Sequence, residues 1–326
     1  MNFTIMTRSP VKAEFQQARR ILDAHQKILL VSHEYTDGDD LGALLTLARV
    51  LAREGKKTYK LCKGGVPDNL LFLPGQSEVA ENLPPDLGEY ELLVTLGCGD
   101  LSRPGYPELE SWQKPILNID HHHDTKMYGT VNVWDEQMAA TCELLYLMLK
   151  DWGVEIDKFM ALSLLTGIFT DTGGFRHANV TAGIFEIAAE LLRRGAKLDL
   201  ISRFIFSQKD LPKLRAWALA LENARFDPAR KIVYTVITEE DLAKAQAEEE
   251  DLDGVVELLN TLPDAKFSML LKQRGDEIKG SLRSETYKGV DVSQIARAFG
   301  GGGHKLAAGF KFKGKIEKTA EGWKIT

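Results

Sequence analysis

At three places along this chain a short apolar run breaks abruptly into a knot of polar residues. KILLVS runs into His33-Glu-Tyr-Thr-Asp37-Gly-Asp39-Asp40, KPILNI into Asp120-His121-His122-His123, and LLTGIF into Thr-Asp171-Thr-Gly-Gly-Phe-Arg176. An apolar run of strand length with no alternation is the mark of a strand buried on both faces, and such strands belong to parallel sheets. Amphipathic helical patterns lie between the runs, at 14–26, 41–55, 136–150 and 157–169. Further strands are expected at KTYKLCKGG and at YELLVTL (90–96). The alternation predicts an α/β domain with a mainly parallel sheet, whose ligands bind at the carboxyl ends of the strands.

The pattern changes downstream. Residues 181–225 read as helical, and then RKIVYTVIT, KFSMLLKQRG and EIKGSLRSE read as antiparallel strands, with helices near 251–261 and 291–299 between them. At 326 residues the chain is long enough for two cores. The division expected is 1–200 for the first domain, 201–225 for a helical linker and 226–326 for a smaller α/β domain. The acidic stretch 243–254 reads as a solvated helix or turn.

Composition excludes several classes. No segment reaches the roughly 18 apolar residues of a membrane span, and the first residues lack the pattern of a secretory signal. Cys62, Cys98 and Cys142 form no CxxC pair, which fits a reducing cytoplasm and argues against a disulfide scaffold or a cysteine-built zinc site. A net charge of −6 argues against coating long nucleic acid, yet leaves room for a local phosphate site.

Each polar knot has a bland and a chemical reading. His33, Asp37 and Asp39 could form a polar turn with an aspartate N-cap, or could converge on a divalent cation. Asp171 could close a turn. Taken together, His33, Asp37, Asp39, His121 and Asp171 make a mixed imidazole and carboxylate set suited to Mn²⁺ or a similar ion. A fourth cluster, Phe299-Gly-Gly-Gly-Gly303-His304-Lys-Leu-Ala-Ala-Gly309, reads as a glycine loop entering a helix, with Arg283 upstream. Bare N–H groups at a helix start would hold a phosphate, although a flexible linker has similar composition.

The order HxxxDGD, DHH, DTGxFR and GGGHxxAAG resembles the DHH/DHHA1 phosphoesterase superfamily. Within it the chain looks most like the short oligoribonuclease (nanoRNase) and phosphoadenosine-phosphate phosphatase branch. The resemblance covers nearly the whole chain. It implies an N-terminal DHH domain with two divalent cations, usually manganese, a C-terminal DHHA1 domain that holds substrate, and a cleft between them. By motif, His33 and Asp37 would hold one ion, and Asp39, His121 and Asp171 the other. His122 would sit beside the scissile phosphate, and Asp120 would orient the histidines. Arg103, Arg283, Ser284 and His304 would grip a nucleotide phosphate, aided by Gly301, Gly302 and Gly303. The implied reaction is hydrolysis of short oligonucleotides to mononucleotides, and of 3'-phosphoadenosine 5'-phosphate. A homodimer is compatible with the resemblance.

One position departs from it. After the strand LLVTL the family carries an aspartate that bridges both metals, in a string like DxxDLxR. Here the string is Gly97-Cys-Gly-Asp100-Leu-Ser-Arg103. Three explanations stand at the level of sequence. Gly97 is an introduced inactivating change, or it marks a natural homologue that binds nucleotide without cutting, or Asp100 reaches in. The last is disfavoured, because three residues of extended chain displace a carboxylate by several ångströms. Other phosphate substrates, cyclic or linear dinucleotides among them, remain alternatives.

Overall fold

The computed structural model describes residues 11–207, 211–319 and 322–325. The chain divides into two compact units, 1–208 and 209–326.

The first unit contains α1 (Val11–Asp23), β1 (Lys27–Val31), α2 (Gly38–Arg53), β2 (Lys57–Leu61), β3 (Val79–Ala80), β4 (Leu92–Leu96), α3 (Pro107–Glu110), β5 (Ile116–Asp120), β6 (Val131–Trp134), α4 (Thr141–Asp151), α5 (Lys158–Asp171), α6 (Ala182–Arg193) and α7 (Leu198–Ser202). Its six strands are all parallel, in the order β3-β2-β1-β4-β5-β6. The apolar runs show why. In β1, Ile28 and Leu30 enter a core shared with α2, α4 and α5, while Leu29 and Val31 enter a second core on the opposite face. A strand with alternate residues in two cores needs helices on both sides, which βαβ crossovers supply. Strand order reverses between β1 and β4, and a sheet of this kind opens a crevice outside the strands at that point.

Helices α2 and α5 pack closely because small residues face each other. A Cβ on Gly42 would lie 2.5 Å from the Ser163 carbonyl oxygen, and one on Gly167 would lie 2.4 Å from Cys142 Sγ and 2.7 Å from Asp39 Oδ1. The third polar knot is placed differently from its reading as a strand-end loop. Asp171 is the last residue of helix α5, and it reaches the strand ends through this close helix contact.

The second unit contains α8 (Leu211–Glu222), β7 (Arg225–Asp227), β8 (Ile232–Thr238), α9 (Glu239–Ala245), α10 (Val255–Asn260), β9 (Phe267–Arg274), β10 (Glu277–Arg283), α11 (Val292–Ala298), β11 (Gly302–Gly303), β12 (Ala307–Lys313), β13 (Ile316–Thr319) and β14 (Gly322–Ile325). Its larger sheet runs β11-β12-β10-β9-β8-β7. Three expectations are corrected here. β8 and β9 are parallel, not antiparallel, because α9 and α10 between them form a crossover. The acidic stretch is not wholly solvated, since Ala245 and Leu252 are buried in the core that Ala216 and Ala220 of α8 also enter. The glycine run does not enter a helix. It follows α11 and forms β11, and the AAG segment is the start of β12, paired along β10 from Ala307 opposite Arg283. The alternation in AAGFKFK, period two, decides for a strand. Among the described residues no helix is long and apolar enough to cross a membrane.

Candidate metal centre

Strand β1 ends at Val31, and the segment after it carries His33 and Asp37 into the first turn of α2. Asp37 is the N-cap, its Oδ1 accepting from the backbone N–H groups of Asp39 at 2.9 Å and Asp40 at 3.0 Å. The cap fixes where the next two aspartates point. Asp37 and Asp40 are three residues apart and share a helix face. Asp39 lies off that face and meets α4, where its carboxylate accepts from Thr141 N at 2.6 Å and Cys142 N at 2.8 Å. The positive end of α4 favours the charge there, but burial and the Asp37 carboxylate outweigh it and push Asp39 above its ordinary range.

Among the described residues the titratable side chains of this site form two groups, each with one ligand atom per residue within 4.8 Å of the others: His33, Asp37 and Asp40, and Asp39, His121 and Asp171. In the first, His33 Nε2 lies 2.8 Å from Asp40 Oδ2 and 3.9 Å from Asp37 Oδ2. In the second, His121 Nε2 lies 3.1 Å from Asp171 Oδ2 and 3.7 Å from Asp39 Oδ2.

The histidine tautomers test whether a cation fits. His33 Nδ1 is 2.8 Å from the Glu34 carbonyl oxygen, and His121 Nδ1 is 3.2 Å from that of Met138. A carbonyl only accepts, so each Nδ1 carries the proton, and in the neutral ring each Nε2 presents a lone pair to carboxylate oxygens. Lone pairs facing at these distances repel unless a proton or a cation lies between them. Asp40 Oδ2 and His121 Nε2 are both buried without a hydrogen bond of good geometry, as are the nearby hydroxyls of Ser32, Thr36 and Thr141. Without a cation, protons do the screening. Burial and the Asp37 carboxylate push Asp40 up to about 7, and burial and Asp39 push Asp171 up to about 8. Burial opposes charge on His33 and His121, but the facing carboxylates outweigh it and lift them to about 11 and about 10. Imidazole nitrogen with carboxylate oxygen, each imidazole held by a backbone carbonyl behind it, fits a divalent cation.

Beside these groups, Asp120 at the end of β5 is fully buried. Its Oδ1 accepts from the backbone N–H groups of His121 at 2.8 Å and His122 at 3.2 Å, and lies 2.7 Å from His122 Nδ1. Its Oδ2 accepts from Thr125 Oγ1 at 2.5 Å. Burial opposes this charge, yet the bonds from His122 and Thr125 hold Asp120 below its ordinary range. The same bond from Asp120 raises His122, whose side chain is 39% exposed and so open to a ligand.

Gly97 directly follows β4, the neighbour of β1 across the crevice. Asp100 does not reach in. It pairs with Lys126 and accepts from Ser102 N at 2.8 Å. Cys98 is buried, and burial with the charges of Asp40 and Asp120 raises its thiol well above the ordinary range. Sequence reasoning placed Asp40 in the first knot but gave it no role. The signal was the second of two consecutive acids in DGDD, in a chain with glycine at position 97.

Arg103 is exposed after β4, its carbonyl accepting from Glu34 N at 2.9 Å. The other residues read as phosphate contacts lie in the second unit. Arg283 Nε donates to Glu257 Oε1 at 2.7 Å. Ser284 is buried, and its hydroxyl donates to the Lys266 carbonyl at 2.8 Å. His304 starts the turn between β11 and β12, exchanging backbone bonds with Ala307. Gly301 serves the hairpin itself, since a Cβ there would lie 2.1 Å from the Gly309 carbonyl oxygen.

The DHH family, N-terminal domain, matches residues 27–168, and the DHHA1 domain matches residues 230–321. The chain is 35% identical to the bifunctional oligoribonuclease and PAP phosphatase NrnA of Thermus thermophilus, over 88% of this chain and 84% of that protein. It is 24% identical to the protein of the same name from Bacillus subtilis, over 89% and 90% of the two. In three dimensions it is similar to an exopolyphosphatase-related protein from Bacteroides fragilis, with a TM-score of 0.86, 26% identity and 95% and 94% of the two chains covered. It shares its fold with exonuclease RecJ bound to manganese, at a TM-score of 0.53, 16% identity and 94% and 91% coverage. Two domains matched in order, with the Thermus relative aligned over most of both chains, show that the chain belongs to the DHH/DHHA1 phosphoesterase superfamily, in the branch of the oligoribonuclease and PAP phosphatases.

Proposed function

We propose that this protein is a Mn²⁺-dependent phosphoesterase that hydrolyses short oligonucleotides to mononucleotides and removes a phosphate from 3'-phosphoadenosine 5'-phosphate. One observation carries the reading. Two imidazole and carboxylate groups, each with a buried ligand atom left without a hydrogen bond, flank the switch point of a parallel sheet. The names of the relatives support the substrate class.

His33, Asp37 and Asp40 would hold one cation, and Asp39, His121 and Asp171 a second. Divalent cations there supply a water of lowered pKa and offset charge on the phosphoryl oxygens. His122, kept in one tautomer by Asp120, holds its Nε2 toward the reacting phosphate and donates a proton or a hydrogen bond to it. In the second unit, Arg283 trades Glu257 for a nucleotide phosphate, with His304 and Gly301–Gly303 beside it; in the first unit, Arg103 adds a positive group near the centre. Ser284 keeps the Arg283 backbone in place from inside the unit. A grip on a terminal phosphate favours two to a few nucleotides over long polymer. Three buried free cysteines fit a cytoplasmic protein.

The test is the purified full chain with Mn²⁺, dinucleotides and 3'-phosphoadenosine 5'-phosphate. Hydrolysis of either, lost on chelation and reduced about 10²-fold or more in His122→Ala, is the expected result. Nucleotide binding with both substrates left intact overturns it in favour of a binding module.

A further inference from the structure

We propose that Asp40, on the first turn of α2, is the carboxylate that serves the metal centre in place of an acidic side chain at position 97, and that Gly97 is glycine to make room for it. The inference rests on the reading of this centre as a metal-dependent hydrolytic site.

The geometry is mutually exclusive. A Cβ built on Gly97 would lie 1.6 Å from Asp40 Oδ1, 2.3 Å from its Cγ and 2.6 Å from Oδ2. The Asp40 carboxylate therefore fills the volume that any side chain of residue 97 would enter. It arrives from the opposite wall of the crevice, from the helix after β1 rather than from the end of β4. Asp40 is 1% exposed, and its Oδ2 is buried among His33 and Asp37 without a well-formed hydrogen bond. A carboxylate crowded by two other aspartates on one helical turn is costly to fold around, and a divalent cation is what offsets that cost. The two other groups that could replace a residue-97 acid are engaged elsewhere, Asp100 with Lys126 and Ser102, and Cys98 as a buried thiol 3.4 Å from the Leu96 carbonyl oxygen. Gly97 also sits at φ +63°, a left-handed conformation that aspartate tolerates better than most residues, so an acid can be tried there. The glycine is then half of a paired exchange and leaves the site complete.

The test is Mn²⁺ titration of the full-length chain, read as free Mn²⁺ by electron paramagnetic resonance, with melting temperatures in chelator. Four proteins are compared: wild type, Asp40→Asn, Gly97→Asp and the double variant Asp40→Ala/Gly97→Asp. Asp40→Asn, nearly isosteric, is expected to bind Mn²⁺ about 100-fold more weakly. Gly97→Asp alone is expected to lose both affinity and melting temperature. The double variant is expected to recover Mn²⁺ affinity to within about tenfold of wild type. Unchanged Mn²⁺ binding in Asp40→Asn overturns the proposal, as does a Gly97→Asp protein that binds and melts like wild type. If Mn²⁺ behaves as expected while nothing is hydrolysed, the phosphoesterase reading fails and the role of Asp40 stands. If wild type hydrolyses and Asp40→Asn keeps its metal, the reverse holds.

Discussion

His33, Asp37 and Asp40 come from one stretch between β1 and the first turn of α2, whereas Asp39, His121 and Asp171 come from the start of one helix, the end of a strand and the end of another helix. The first group is set by local geometry: an N-cap, and a helical face shared at three-residue spacing. The second depends on how closely α2, α4 and α5 approach. The first group should thus tolerate remote packing changes that the second does not, and the second should be the easier to weaken without touching a ligand.

The largest effect is expected from Asp171→Asn. It removes the α5 ligand from the second group and should lower kcat with Mn²⁺ by about 10³-fold, near 4 kcal/mol in the barrier. A loss no greater than tenfold would remove that group from the chemistry.

Gly167→Ala comes next. It forces a methyl against Cys142 Sγ and Asp39 Oδ1 and should cost about 2–3 kcal/mol by overpacking, seen in urea unfolding. Mn²⁺ should leave the second group first while binding at the first group persists. Equal weakening at both groups would break the comparison.

A pair at Asp37 separates ligand from cap. Asparagine caps a helix about as well as aspartate and alanine does not. Asp37→Asn should keep the cap and weaken Mn²⁺ binding, while Asp37→Ala should cost about 1 kcal/mol of apo stability more than Asp37→Asn does.

The smallest effect is predicted in the support of α4. Glu190 accepts from Tyr146 at 2.6 Å and pairs with Lys150 and Arg194. Burial opposes its charge, but these partners outweigh it and hold the carboxyl at about 2, against an ordinary 4.5. The unfolded chain therefore takes up the proton first. The stabilisation is fully present above about pH 5 and fades as pH falls toward 2, and solvent screening leaves about 1 kcal/mol of it. Glu190→Gln should lower stability by that amount at pH 7 and flatten the acid limb. An unchanged pH profile of unfolding would count against this tie.

Much of this was open to sequence reading. The apolar runs at β1, β4 and β5 are buried on both faces and so carry no alternation, and their polar exits named His33, Asp37, Asp120 and His121 before any coordinates. Asp39, next to Gly38, and Asp171, two residues before Gly173, were also legible, but not the reason they meet. That reason lies in Gly42 and Gly167, which read in one dimension as ordinary small residues in apolar helices. The second unit was less legible. The direction of β8 against β9 depends on a crossover, and the glycine run was misread because small residues suit a tight strand pair as well as a helix start.

The order of polar clusters along the chain, fixed by covalent sequence and by the periodicity of burial, determined the superfamily, the parallel sheet and most members of the two imidazole and carboxylate groups. Only the tertiary structure could decide what fills the space beside Gly97. Positions 40 and 97 lie far apart in sequence and are brought together across the β1–β4 crevice, where two side chains cannot occupy one volume. Van der Waals exclusion there makes the glycine at 97 and the carboxylate of Asp40 one steric arrangement rather than two.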